Sequence, residues 1–270
     1  MAVIRYLVTN NQISNKQIII NNLLLNYYSV LPDKKFTNKT LVFLHGWGVD
    51  SQLWFKIVPA LINKNYSLYF LDLPGFGQSQ VPNTAYNVDD YKKIVYEFVK
   101  KLELKNINLI GHSFGGRIAI KMAAGNPNFL EKVVLVDSAG IYHHSQVKTF
   151  KLLIASIIRP LFQFSFMQSF RRKIYQITGS EEYLAIPALS KTFSHIVSED
   201  LTSYLPQIKL STLIIWGDKD DNEASTLNDA QLMKKSIKNS KLEILKEAGH
   251  FSFLDQPEEF VKELIEFISD

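Results

Sequence analysis

The 270-residue chain is long enough to bury one large core, and its 46% hydrophobic and 21% charged residues are ordinary for a globular protein. A net charge of +4, with the lysines scattered, argues against a nucleic-acid partner, and the absence of cysteine removes disulfides, thiolate metal sites and a cysteine nucleophile. No run reaches the roughly 18 apolar residues of a membrane-spanning helix, and the N-terminal residues lack the charged, apolar and small-residue pattern of a secretory leader, so a cytoplasmic location is expected.

Residues 17–20 and 23–30 read as strands, with Asn21 and Asn22 suited to the hairpin turn between them. Residues 40–44 form a buried-type strand that runs into His45, Gly46, Trp47 and Gly48. A helix is expected over 51–62, because Leu53, Trp54, Ile57, Val58 and Leu61 share one face. Residues 66–71 give the next strand, followed by a turn-rich stretch from Asp72 to Ser79 and a long amphipathic helix over 88–104. Strand 106–110, helix 114–124 and strand 132–136 follow, the last ending at Asp137.

The alternation stops over 140–206, where no strand is apparent and apolar residues crowd 150–170. Pro160 should divide that run into two helices. The alternation resumes with strand 211–216, helix 224–237, strand 241–245 and a closing helix over 257–268 with Pro257 in its first turn. Strands alternating with helices at this rhythm imply a parallel sheet covered on both faces.

One stretch organises the chain. Between strand 106–110 and helix 114–124 lie Gly111, His112, Ser113, Phe114 and Gly115. A strand that turns directly into a helix brings the two backbones too close for a Cβ, hence the glycines. Ser113 is then held at the tip of the turn, at a helix N-terminus whose free N–H groups suit an oxyanion. A serine hydroxyl needs a base and the base an orienting carboxylate. The histidines are His45, His112, His143, His144, His195 and His250, and the carboxylates in suitable loops are Asp137, Asp218, Asp220 and Asp221.

From about Gln17 to the C-terminus the chain resembles the α/β-hydrolase superfamily. The likeness rests on His45-Gly46-Trp47-Gly48, the stretch Asp72 to Ser79, Gly111 to Gly116, Trp216-Gly217-Asp218-Lys219-Asp220, and Gly249-His250. It implies the α/β-hydrolase fold: a mostly parallel sheet of about eight strands, helices on both faces and a helical lid. The core would comprise 1–139 and 207–270, with the lid over 140–206. The resemblance makes Ser113 the nucleophile, His250 the base and Asp220, three residues after Gly217, the orienting acid. Asp137 occupies an alternative acid position of this fold. The loop departs from the usual pattern, with Asn222-Glu223-Ala224 where Val-Pro is familiar.

The backbone N–H groups of Trp47 and Phe114 would form the oxyanion hole, with His143, Phe162, Phe166 and Phe251 touching substrate. No cofactor or metal is implied; the adjacent His143 and His144 are a weak metal signal. The expected function is a cofactor-free serine hydrolase of small to medium carboxylic esters with apolar acyl groups, acting as a monomer or homodimer. Neighbouring alternatives are a thioesterase, a C–C bond hydrolase of dienoate-type products, and a ligand receptor on the same fold. The apolar insertion with Arg171, Arg172 and Lys173 also suits an enzyme working at a lipid surface.

Overall fold

Side-chain alternation along the central strands sets the architecture. Val42 and Leu44 point into one core and Leu41 and Phe43 into the other; Val133 and Leu135 oppose Val134 and Val136 in the same way, as Ile214 and Trp216 oppose Leu213 and Ile215. Strands apolar on both faces need cover on both sides. The computed structural model describes residues 13–32, 39–142, 187–222 and 225–269. One face is covered by helices Val88–Lys101, Phe114–Ala124 and Leu227–Ser236, and the other by the turns around Trp54 and the helix Pro257–Ser269.

The strands are β1 (Ser14–Ile20), β2 (Leu23–Val30), β3 (Thr40–Leu44), β4 (Ser67–Leu71), β5 (Ile107–His112), β6 (Leu130–Val136), β7 (Ser211–Gly217) and β8 (Ser240–Leu245). They form one eight-stranded sheet in the order β1-β2-β4-β3-β5-β6-β7-β8. β1 and β2 make the expected hairpin, with Asn21 and Asn22 at φ 50° and 63°. β2 is also antiparallel to β4, and every later pair is parallel. This is the expected mostly parallel sheet with helices on both faces.

Two local differences have physical causes. Residues 51–62 do not form one helix but a 3₁₀ segment, Ser51–Lys56, and a single α turn, Val58–Leu61. Pro59 lacks an N–H and its ring crowds the carbonyl four residues back, so the helix cannot run through it. The helix expected from residue 224 begins at Leu227, because the backbone N–H of Thr226 is taken by the Asp229 carboxylate at 2.8 Å. Within the stretch without strands, residues Pro187–Ser198 form a helix and Thr202–Gln207 a 3₁₀ turn. The helices expected around Pro160, together with His143, His144, Phe162, Phe166 and Arg171 to Lys173, lie outside the described residues.

The flanks of that insertion are tied together. The carbonyl of Gly140 accepts the N–H of Leu201 at 2.8 Å, and the N–H of Tyr142 reaches Asp200 Oδ1 at 3.3 Å. Two buried cations of the helix Phe114–Ala124 hold the same place: Arg117 donates to the Glu199 carbonyl at 2.7 Å, and Lys121 pairs with Asp89 and Glu199. Burial disfavours the charge on Lys121, but these two carboxylates outweigh it and raise its pKa.

At the elbow, Ser113 adopts φ 50° and ψ −110°, a conformation costing about 1–3 kcal/mol for a residue with a Cβ. It is held by its own N–H to the Val136 carbonyl at 3.0 Å and by its carbonyl, which accepts from Gly116 at 3.0 Å. A Cβ on Gly111 would sit 2.4 Å from the Gly115 carbonyl oxygen, and one on Gly115 would sit 2.5 Å from the Leu44 carbonyl oxygen. Both obstacles are backbone, which cannot rotate aside. Gly111→Ala should therefore destabilise the fold by about 3 kcal/mol or more, measured by urea denaturation. A variant as stable as the parent would mean that the close approach is not a constraint.

Candidate active site

Parallel strands bring their carboxyl ends to one edge, and the loops that leave that edge carry the chemistry. The loop after β3 brings His45 to Gly48, and the elbow after β5 brings Ser113. Asp220 follows β7, and His250 lies between β8 and the short helix Ser252–Asp255.

Asp220 is the carboxylate that meets a histidine. Its Oδ2 lies 3.0 Å from His250 Nδ1, and its side chain is fully buried. The other Asp220 oxygen accepts the N–H of Asn222 at 3.0 Å, while the Ser225 hydroxyl donates to Oδ2 at 3.3 Å and lies 3.2 Å from His250 Nδ1. A carboxylate at Nδ1 fixes the proton there and leaves Nε2 as the basic nitrogen. Burial pushes the His250 pKa down, but Asp220, by charge and by hydrogen bond, with Asp137 and Asp221 adding, carries it above the usual 6.5.

The neighbouring carboxylates are placed differently. Asp221 is exposed, and Asp218 lies half-buried, 3.7 Å from Lys246. Asp137 ends β6 at φ 42° and is completely buried. It does not bond His250. Its Oδ1 accepts the Gly217 N–H at 2.9 Å, and its Oδ2 accepts the Ser252 N–H at 3.2 Å and meets the Ser252 hydroxyl at 2.6 Å. Asp137 thereby ties the turn that carries Asp220 to the loop that carries His250. Burial, and then the charge of Asp220, push its pKa up to about 8, against the opposing pull of His250, Ser252 and Gly217.

His112, beside Ser113, ends β5 and lies in the core. Its Nε2–H donates to the His250 carbonyl at 2.8 Å, and its ring packs against Trp54, Phe251 and Phe253. Elbow and histidine loop are thus locked together. Burial, and secondly the nearby His250, keep the His112 pKa well below 6.5. Phe251 belongs to this buried group, backing both His112 and His250. His195 is exposed on the helix Pro187–Ser198. Among the described residues no three His, Asp or Glu side chains converge to hold a metal ion, and no helix is long and apolar enough to cross a membrane.

Trp47 is half-buried. Its ring meets Phe76 at 4.8 Å, Phe114 at 5.5 Å and Phe193 at 4.9 Å, all edge-to-face. Phe193 and Leu189 come from the helix Pro187–Ser198, which lays its apolar side on this edge of the sheet; Leu189 covers Gly75. Sequence reasoning missed Phe193, although Leu189, Phe193 and Ile196 stand at helical spacing. It also missed Ser225 and Ser252, whose roles depend on loop shape and leave no pattern in the chain.

Comparison with known proteins agrees with this fold. A family model described as alpha/beta hydrolase fold matches residues 39–180. Human monoacylglycerol lipase ABHD6 is 28% identical over 256 residues, covering 85% of this chain and 75% of that protein. A bacterial membrane phospholipase A superposes with a TM-score of 0.83 at 24% identity, covering 99% of this chain and 91% of that one. A meta-cleavage product hydrolase from Pseudomonas fluorescens superposes with a TM-score of 0.79 at 21% identity, over 96% and 99% of the two chains.

Two predictions follow from the carboxylates and His250. Asp220→Asn should slow cleavage of an activated ester by about 10⁴-fold, whereas Asp137→Asn, a change at a side chain that bonds Gly217 and Ser252 and not His250, should cost far less. The reverse order in purified, folded variants would make Asp137 the orienting acid. The second concerns pH. A base works unprotonated, so kcat/KM should rise with pH through a midpoint above 6.5. In Asp220→Asn the burial effect is left less opposed, so that midpoint should move down. A midpoint that stays put would show that Asp220 does not set the basicity of His250.

Proposed function

The chain belongs to the alpha/beta hydrolase fold family, and from that footing we propose that it is a cofactor-free serine hydrolase of carboxylic esters with apolar acyl groups. The observation that carries the reading is the buried Asp220–His250 pair, 3.0 Å apart, on a loop bonded to the residue next to the strained Ser113.

In this mechanism His250 Nε2 takes the Ser113 hydroxyl proton as Oγ attacks the ester carbonyl. The carbonyl π bond breaks, and its electrons become the oxyanion of a tetrahedral intermediate. The backbone N–H groups of Trp47 and Phe114 stabilise that oxyanion, and a single such donor is worth about 10²–10³ in kcat elsewhere. The intermediate collapses, the C–O bond to the alcohol breaks, and His250 gives its proton to the departing oxygen. Water then repeats the sequence on the acyl-serine, releasing the acid and restoring Ser113. Asp220 keeps the proton on Nδ1 throughout and stabilises the imidazolium.

The aromatic surroundings support the apolar acyl group. Trp47, Phe76, Phe114 and Phe193 gather beside the elbow and bring no charge. Arg117 and Lys121 of the elbow helix are already committed, the first to the Glu199 carbonyl and the second to the Asp89 and Glu199 carboxylates. Resemblance to a monoacylglycerol lipase points the same way. Each acyl methylene buried is worth about 0.8 kcal/mol, or roughly fourfold in kcat/KM.

The test is a fluorophosphonate label followed by a series of p-nitrophenyl esters. Ser113→Ala should lose the label and about 10⁶-fold in kcat while staying folded. The parent should prefer butyrate to octanoate over acetate, and Phe193→Ser should shrink that preference. Near-normal turnover by Ser113→Ala would sink the mechanism. A single stoichiometric burst without turnover would make the chain a ligand receptor, and preference for a ring-cleavage dienoate over every ester would make it a C–C hydrolase.

A further inference from the structure

We propose that His45 is a positioning residue that aims the Trp47 N–H into the oxyanion hole by holding the carbonyl on the other side of the same peptide. The inference rests on the serine-hydrolase reading above.

Two hydrogen bonds fix the state of this buried ring. The backbone N–H of Leu73 donates to His45 Nε2 at 3.0 Å. A backbone amide can only donate, so Nε2 holds a lone pair and the ring proton is on Nδ1. Nδ1 in turn lies 2.7 Å from the Gly46 carbonyl oxygen, to which it donates. Burial favours the neutral ring and lowers its pKa, against the charge of Asp72 and the pull of the Gly46 carbonyl. The edge of the ring rests on Phe76, with centroids 5.5 Å apart.

The Gly46 carbonyl and the Trp47 N–H belong to one peptide unit. There are no cis peptide bonds among the described residues, and across a planar trans peptide C=O and N–H point in opposite directions. A hydrogen bond that holds the carbonyl toward His45 therefore turns the Trp47 N–H away from it. The same glycine borders the elbow: a Cβ on Gly46 would sit 3.3 Å from Ser113 Cβ and 2.9 Å from His112 Nδ1.

The anchor extends into the loop after β4. Leu73 follows Asp72, whose Oδ1 accepts both the N–H and the hydroxyl of Ser51, at 3.0 and 2.6 Å. Its Oδ2 accepts from Asn26 Nδ2 at 3.1 Å and from the Gln78 N–H at 3.0 Å. The direction of the Leu73 N–H is thereby set by a saturated buried carboxylate. The Asp72 to Ser79 motif, which the hydrolysis itself does not use, becomes the fixed end of a relay: Asp72 loop, His45, Gly46 carbonyl, Trp47 N–H.

The two bonds can be separated by substitution. His45→Ala removes both. In His45→Asn the amide nitrogen stands where Nδ1 stood and can bond Gly46, but nothing reaches Leu73. His45→Gln places its amide at the ε position and serves Leu73 alone. With p-nitrophenyl butyrate, His45→Ala and His45→Gln should lose about 10- to 100-fold in kcat with little change in KM, since a misaimed donor acts only on the transition state. His45→Asn should recover most of that loss. The Ki of a trifluoromethyl ketone, whose adduct carries the oxyanion, should rise in parallel with the loss in kcat. Thermal midpoints read the structural cost separately. If Asn rescues no better than Gln, if kcat merely follows the midpoint across the three variants, or if the loss falls in KM, the positioning role is overturned. An unlabelled, inactive parent would overturn the hydrolase reading itself, and this role with it.

Discussion

The closeness with which β5 and the helix Phe114–Ala124 pass each other is the constraint from which the active edge follows. Gly111 and Gly115 meet without side chains, against each other and against the Leu44 carbonyl, so the chain between them has few conformations left. Ser113 takes one that it would avoid in isolation, and bonds from β6 keep it there. The same tightness brings β3 and its loop up against the serine through Gly46, and His112 reaches from the elbow to the histidine loop. Three loops far apart in sequence are thus registered on one turn.

Two carboxylates share the dry ground behind that turn, and their surroundings divide the work. Two like charges this close in a low-dielectric interior cannot both persist cheaply. Asp220 faces His250, a group able to carry the opposite charge, and also accepts from Asn222 and Ser225. Asp137 bonds only neutral donors, Gly217 and Ser252, and burial with the charge of Asp220 raises its pKa. The group with the ionisable partner is suited to electrostatics, and the other to fastening two loops. The choice is made by what each oxygen touches rather than by distance along the chain.

That distinction marks the limit of what was legible in the sequence. The sheet, its helices and the elbow were readable because hydrophobic period and glycine spacing are local properties, and Ile107 to Ala124 displays both. Asp220 and His250 were legible through the resemblance, carried by Gly217-Asp218-Lys219-Asp220 and Gly249-His250 in the loops after the last two strands. The bracing residues were not. Ser225 and Ser252 are ordinary loop serines until the loops fold, and the work of Asp137 appears only when β6 and β7 are paired. Pro59 was visible, but the pattern of Leu53, Trp54, Ile57 and Val58 suggested a helix strongly enough to hide the break. Phe193 lay in a stretch whose apolar crowding at 150–170 drew attention away from the regular spacing beyond it.

The stitching at Gly140–Leu201 and Tyr142–Asp200 gives the molecule a modular character. The chain leaves the frame after Tyr142 and is back in it at Asp200, at neighbouring points that Arg117 and Lys121 secure through Glu199. When the ends of an excursion are already held together, its length matters little to the energy of closing it: each doubling adds only about 0.6 kcal/mol. The closing of the excursion therefore makes little demand on the sheet. Such a frame tolerates a change in the number of residues between Tyr142 and Asp200 at little cost to the pairing of β5, β6 and β7, which is what holds the serine turn.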